Sequence, residues 1–249
     1  MKINGELGKV LSTSPEHKQW NCGMGIFKPG VVYWEENPEG RVIIDGKRCK
    51  ILSKTDYDKN YVLIGGKNYK TVKIGNQVWM VENLDFLPSG IEFVDSGSES
   101  YSNTPAACYY DYTNNGLGLL YNRHAVTIII NSTIPAGWRV ASVSDWNTLF
   151  SYIGGNSAAN IKKLKSSALS GAGSWATPGT DIYGFDLRCT GYRSSNAVFT
   201  GDDICYFYTD TAGEIYPTSY KRGSISDNTN CSFSEFELPF YSIRLVKDA

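Results

Sequence analysis

The sequence predicts a mixed α+β fold, in which many short strands accompany two helices, with a small β appendage in front. Three observations carry this. Aromatic residues make up 13% of the chain, with 17 Tyr and 25 Gly, the mixture that short strands joined by glycine turns produce. The segment Val143–Ile153 spaces its apolar residues as a helix does. Three framework stretches, Ile74–Leu84 (IGNQVWMVENL), Gly137–Leu149 (GWRVASVSDWNTL) and Tyr241–Asp248 (YSIRLVKD), all follow the first 61 residues. None of the three carries a plausible catalytic group, which moves the expected function from chemistry toward recognition on loops.

The 249 residues suit one large domain, or one domain with an appendage. A chain of this length buries roughly three quarters of its unfolded surface and needs no staples. Net charge is −1. The basic clusters, Lys162, Lys163, Lys165 and Lys221–Arg222, read as solvated surface, so no nucleic-acid partner is expected. No apolar run approaches the ~20 residues of a membrane span, so no membrane insertion is expected. The opening MKINGELGKVLSTSPEHK lacks an apolar core and does not read as a signal peptide. Six widely spaced cysteines include no CxxC, which argues against a zinc knuckle and favours free, mostly buried thiols.

Taken in order, Trp20–Trp34 reads as a hairpin around Lys28-Pro29-Gly30. Val42–Lys50 (VIIDGKRCK) and Val62–Lys70 (VLIGGKNYK) then form an internal repeat offset by 20 residues. Each is an apolar strand entering an Asp-Gly or Gly-Gly turn that demands positive φ. This places the appendage at 1–61 and the main domain at 62–249. Gly75-Asn76 predicts a hairpin turn within Ile74–Leu84, and 88–107 reads as a long surface loop. Cys108–Tyr112 reads as an aromatic strand, turned by Asn114-Asn115-Gly116 into Leu119–Asn122. The β-branched run Thr127–Ile130 tips His124–Ile130 toward strand.

Ser142 and Asp145 form a box-like helix start, and Trp146, Leu149, Phe150 and Ile153 make one stripe, stopped by Gly154-Gly155. A second helix is expected over Ala158–Ala168. Tyr241, Ile243 and Leu245 alternate in a final strand.

The order IGNQVWMVENL, CYYDY, LLYN, GWRVASVSDWNTL, GTDIYGF, GYR and YSIRLVKD resembles the Fibrobacter succinogenes major paralogous domain, over about residues 62–249. That domain is similar in turn to C-type lectin folds of the formylglycine-generating-enzyme type. The resemblance implies a C-type-lectin-like arrangement: two helices on a small antiparallel sheet, with the termini close together. It also implies an exposed face built between Gly191-Tyr192-Arg193 and the last strand. There are departures. Ile134–Ala141 (IPAGWRVA) stands where the family has C-P-x-G-W-H-L-P, which removes the family's Cys. Cys205–Thr209 stands where Trp-Trp-Ser-Ser is expected. The cysteine-pair oxidation of the formylglycine-generating branch finds no matching cysteines here.

The segment 194–239 is rich in Tyr, Ser, Asn and Asp and resembles a paratope. Its candidate ligand-binding residues are Asn196, Asp203, Tyr206, Tyr208, Asp210, Tyr220, Arg222 and Asn228. Asp181, in GTDIYGF, is a weak candidate metal ligand; a turn-forming role fits it better. Glu36-Asn37-Pro38 has the wrong order for a lectin triplet, and Trp146-Asn147 lies on the helix. No cofactor is expected. Of the two histidines, His17 lies in the unassigned N-terminus, and His124, beside an apolar run, reads as structural. A glycosidase pair could sit among Asp203, Glu214, Glu235 and Glu237. Trp79, Trp138, Trp146, Arg193 and Arg244 read as framework, the arginines pairing with carboxylates or carbonyls.

The leading expectation is a non-enzymatic recognition module. It would be a phage fibre or decoration protein in the virion, binding a glycan or protein on a bacterial surface. Residues 1–61 would attach to other virion proteins, and a homotrimer would suit a fibre. A secreted or surface-anchored adhesin domain, extracellular in place, is the first alternative. An enzyme acting on polysaccharide is the second.

Overall fold

The computed structural model describes residues 58–95, 104–131, 134–194, 198–201, 203–213, 220–235 and 240–249, with the backbone of six short strands before them. The chain divides into two compact units, Met1–Lys70 and Thr71–Ala249. The division falls at Lys70, later than the sequence boundary at 61–62.

In the first unit β1 (Lys2–Ile3), β2 (Glu6–Leu7), β4 (Arg41–Ile44) and β5 (Lys47–Lys50) form one sheet, ordered β2-β1-β4-β5. Strand β3 (Trp34–Glu35) pairs in parallel with β6 (Leu52–Ser53). The internal repeat is a repeated hairpin. Ile44 faces Lys47 and Arg41 faces Lys50 in β4–β5. Ile64 faces Lys67 and Tyr61 faces Lys70 in β7 (Tyr61–Ile64) and β8 (Lys67–Ile74). Gly65 and Gly66 turn the second hairpin at φ 56° and 81°, angles that exclude most side chains. The hairpin expected around Lys28-Pro29-Gly30 lies outside the described residues.

In the second unit, Thr71–Ile74 of β8 turns through Gly75 into β9 (Gln77–Met80), with Ile74 facing Gln77. Strand β10 (Glu92–Phe93) pairs in parallel with β11 (Ala106–Cys108), which pairs antiparallel with β12 (Leu120–Tyr121). Tyr110–Tyr112 is not strand but a 3₁₀ turn, with Asp111 and Tyr112 both at φ 52°.

Helix α1 (Arg123–Asn131) overturns the expected strand at His124–Ile130. Its apolar residues repeat at helical spacing, burying Ala125, Val126 and Ile129, and Asn122 accepts the Ala125 N–H. Tertiary packing of that stripe outweighs the β propensity of the isoleucines.

Strand β13 (Arg139–Val140) leads into α2 (Val143–Tyr152), which begins with the expected capping box of Ser142 and Asp145. Helix α3 covers only Ala158–Ile161. The rest of the expected helix unwinds because Lys165 bridges to Leu187 and the Ser166 N–H bonds Leu187 O instead. The hairpin β14 (Tyr192–Arg193) and β15 (Phe199–Thr200) follows. A three-stranded antiparallel sheet comes next, β16 (Cys205–Ala212), β17 (Tyr220–Ile225) and β18 (Ser232–Glu235). The last strand, β19 (Leu245–Asp248), inserts between β13 and β9, setting Val246 against both Arg139 and Trp79. Both ends of the unit therefore share one sheet. Residues 240–246 are buried on both faces, so their expected alternation does not separate core from solvent.

The core lies between this sheet, α2 and β16–β17. Trp146 of α2 stacks on Phe207 at 4.1 Å and meets Trp79 at 4.9 Å and Phe185 at 5.8 Å. Such aromatic pairs add about 0.5–1.5 kcal/mol each beyond their burial. Arg139 ties the sheet to the helix, with Nη2 2.7 Å from Asp145 Oδ1 and 2.8 Å from Asp248 Oδ1. Gln77 donates to Asp145 Oδ1 and accepts from the Trp79 indole. Arg244, fully buried, donates to Asn83 Oδ1 and to the Phe185 carbonyl. Arg193 donates to the Tyr112 hydroxyl and lies 4.8 Å over the Phe240 ring. Both arginines are buried where the sequence places framework. Trp138 is half-buried beneath Lys247 Nζ.

Lys165 corrects the sequence reading. It is 3% exposed, with Nζ 3.1 Å from Asp227 Oδ1 and 3.9 Å over the Trp175 ring. The described cysteines, Cys108, Cys189, Cys205 and Cys231, are free and buried. Burial pushes the Cys108 and Cys205 thiols up to about 12.

Candidate functional site: a tyrosine face on the three-stranded sheet

Alternation in β16 sends Cys205 and Phe207 into the core and Tyr206 and Tyr208 to the opposite side. Phe207 reaches Trp146 because its cross-strand partner is Gly223. A Cβ on Gly223 would stand 2.2 Å from the Phe207 ring, so any other residue would displace it. On the opposite side Tyr208 pairs with Arg222, Tyr206 with Ser224, and these continue to Ser234 and Ser232 of β18.

The tyrosines stand in two tiers. The lower tier is Tyr208 and Tyr241, both buried, their rings 4.9 Å apart edge to face. Burial raises both hydroxyls well above the usual phenol range. The upper tier is Tyr192, Tyr206 and Arg222, all half-buried. Tyr206 stacks on Tyr241 at 5.6 Å, and Tyr192 meets the Tyr206 edge at 5.1 Å. The Arg222 guanidinium lies 5.0 Å over Tyr206 and 5.4 Å over Tyr241, within cation–π range. Its Nε donates to Ser234 Oγ. Ser224 and Ser232 share a hydrogen bond of 2.9 Å beside it.

The backbone under Tyr206 is held from both sides. Its N–H donates to Thr190 Oγ1, and its carbonyl accepts from Thr190 Oγ1 and from Ser242 Oγ at 2.6 Å. Tyr208 N–H donates to Ser242 O. A ring fixed in this way loses little freedom on contact with a ligand.

Of the residues expected to bind, Tyr206 and Arg222 meet on this face. Tyr208 does not, because it is fully buried and supports the upper tier. Tyr220 is half-buried, its hydroxyl 3.1 Å from Thr127 Oγ1 of α1. Asp210 bonds through its N–H to Ala141 O, and burial followed by the charge of Asp145 raises its pKa. It belongs beside Arg139 and the start of α2. Asp203 is exposed just before β16, and Asn228 is exposed at φ 55° in the turn joining β17 to β18. Asn196 lies outside the described residues, as do Glu214 and Glu237. Asp181 Oδ1 accepts the Asp186 N–H at 2.9 Å, the turn-forming role. Among the described residues no group of three His, Cys, Asp or Glu stands where it could hold a metal ion.

Sequence reasoning missed Tyr192, Tyr241 and the serine row. Tyr192 and Tyr241 enter from segments far from β16 in the chain. The serines are ordinary residues whose pairing depends on strand register.

The fold is a mixed α+β domain carrying a rigid aromatic, guanidinium and hydroxyl surface on one sheet. The Fibrobacter succinogenes major domain model matches residues 72–247, and the chain belongs to that family. Neither a curated protein nor a solved structure matches it.

Proposed function

We propose that the domain is a recognition module and that the Tyr192–Tyr206–Arg222 face is where it contacts a glycan or protein on a bacterial surface. One observation carries this: two aromatic rings and a guanidinium are held half-exposed on a buried tyrosine tier, beside a row of serine hydroxyls. Rings of this kind pack on the C–H faces of sugars or on peptide side chains, and the hydroxyls supply adaptable hydrogen bonds. We read the domain as C-type-lectin-like. The reading is supported by α2 packed on a small antiparallel sheet and by the pairing of the last strand with β9.

The protein that would use such a module is a phage fibre or decoration component in the virion. Residues 1–61 would attach to other virion proteins, and three copies would assemble as a fibre does. A surface-anchored adhesin would use the same face.

The test is binding of the full chain to bacterial cells and to a glycan array, with and without a calcium chelator. The comparison is a triple variant, Tyr192→Ala, Tyr206→Ala and Arg222→Ala, which leaves the buried Tyr208 in place. Loss of binding at an unchanged melting temperature supports the face. Undiminished binding moves the site elsewhere. Turnover of a polysaccharide by the wild type, abolished by changing a carboxylate, would replace recognition with catalysis.

A further inference from the structure

A cavity of about 290 Å³ opens beside the hairpin that carries Tyr192, and the tyrosine face does not use it. Its walls are Tyr110, Asn115, Leu117, Ser174, Cys189 and Thr190, closed by the loop Gly171–Gly173. Gly171 and Gly173 have φ of 101° and 69°. A Cβ on Gly173 would stand 2.6 Å from the Leu117 side chain and 2.7 Å from the Cys189 carbonyl. The glycine therefore brings the loop backbone directly against those walls. The Cys189 N–H donates to Gly173 O and the Ser174 N–H to Gly171 O, so the loop has a defined shape.

The lining has a distinct chemistry. None of the wall residues is Asp, Glu, Lys, Arg or His, which disfavours a charged occupant. Leu117 and Tyr110 give the lining its apolar residues. The Asn115 carboxamide and the Ser174 hydroxyl supply polar groups. Asn115 Oδ1 accepts the Leu117 N–H at 3.2 Å, which fixes the orientation of its amide. Thr190 Oγ1 is committed to Tyr206 on both its N–H and its carbonyl, so Thr190 is a fixed wall rather than a donor to a ligand.

We propose that this cavity binds a single neutral, hydroxyl-rich ring, a hexose or its N-acetylated form, as a site separate from the tyrosine face. The volume equals the share of roughly ten water molecules, enough for one ring. It stands at the small end of the roughly 300–1,000 Å³ typical of small-molecule sites. A lining that combines apolar residues with an amide and a hydroxyl suits the C–H face and polar edge of a pyranose.

The experiment is titration of the isotopically labelled full chain with glucose, galactose, mannose and N-acetylglucosamine, followed by amide NMR shifts. Glucuronate serves as the charged control. At least one neutral sugar is expected to shift the Asn115, Ser174 and Thr190 amides at millimolar concentration, with glucuronate weaker. Ser174→Ala should weaken binding about fivefold, the effect of one neutral hydrogen bond. Ala172→Phe, at the exposed rim, should abolish it at an unchanged melting temperature. The variant with Tyr206→Ala and Arg222→Ala should keep the cavity shifts, which separates this site from the tyrosine face. Absence of cavity shifts with every neutral sugar, shifts insensitive to both cavity variants, or equal binding of glucuronate would each overturn the proposal.

Discussion

Arg244 sets Nε and Nη2 against the single Oδ1 of Asn83, at 3.1 and 2.9 Å, across 161 residues of chain. Its Nη1 reaches the Phe185 carbonyl at 2.8 Å, and its guanidinium lies 4.6 Å over the Phe185 ring. Burial lowers its pKa to about 10, which still leaves it charged at neutral pH. The contact joins the segment after β9 to the last strand, so it locks the two ends of the unit. Arg244→Lys keeps the charge but loses the fork that spans two acceptors. We expect it to cost about 2–3 kcal/mol in chemical denaturation, with Asn83→Ala less than additive in the double variant. Full additivity would show that the two residues act independently.

Asp145 predicts how the fold responds to acid. Burial pushes its carboxyl up, but hydrogen bonds from Arg139 and Ser142 outweigh this and hold it below the usual range. Such a group stabilises the fold above its unfolded pKa of about 3.9, and that contribution is lost as pH falls through the folded value. Asp181 and Asp210 act in the opposite sense. Burial raises both, so they favour the fold at low pH and lose that contribution as pH rises. Asp145→Asn should therefore lower the melting temperature at neutral pH and flatten its decline below about pH 4. An unchanged acid limb would assign the acid sensitivity to another carboxylate.

Trp146 separates packing from hydrogen bonding. Its indole Nε1 is buried without a hydrogen-bond partner among the described residues, while its ring stacks on Phe207. Trp146→Phe loses area but no hydrogen bond, so we expect a cost of about 1–2 kcal/mol. Trp146→Ala should cost about 3–5 kcal/mol. Equal costs for the two, read from urea denaturation, would mean that the indole nitrogen has a partner in solution.

Lys165 and Asp227 tie the β17–β18 turn to the core. Burial pushes Asp227 up, but Thr177 and Lys165 hold it low. Asp227→Ala leaves the buried ammonium only the Ser226 carbonyl and the Trp175 ring and should cost about 2 kcal/mol, reduced from a fully buried pair by the partial exposure of Asp227. Lys165→Met, which keeps the length without the charge, should cost less. The reverse order would mean that Trp175 and the Ser226 carbonyl, rather than Asp227, hold the ammonium.

The sequence by itself determined the elements whose signals are local. The capping box of Ser142 and Asp145 and the apolar stripe behind it were legible because a helix start and its face lie within the twelve consecutive residues Ser142–Ile153. The repeated hairpins were legible because a Gly-Gly turn sets its own register. Tyr206 and Arg222 were named as candidates from the composition of their segment, but Tyr208, two positions along, looked the same. Only the tertiary structure placed Tyr208 under the face and brought Tyr192 and Tyr241 beside it, since those rings meet through register and packing between distant segments. Packing also made His124–Ile130 a helix and buried Lys165. A β-branched run and a lysine cluster report intrinsic preference, and burial against residues elsewhere in the chain overrode that preference.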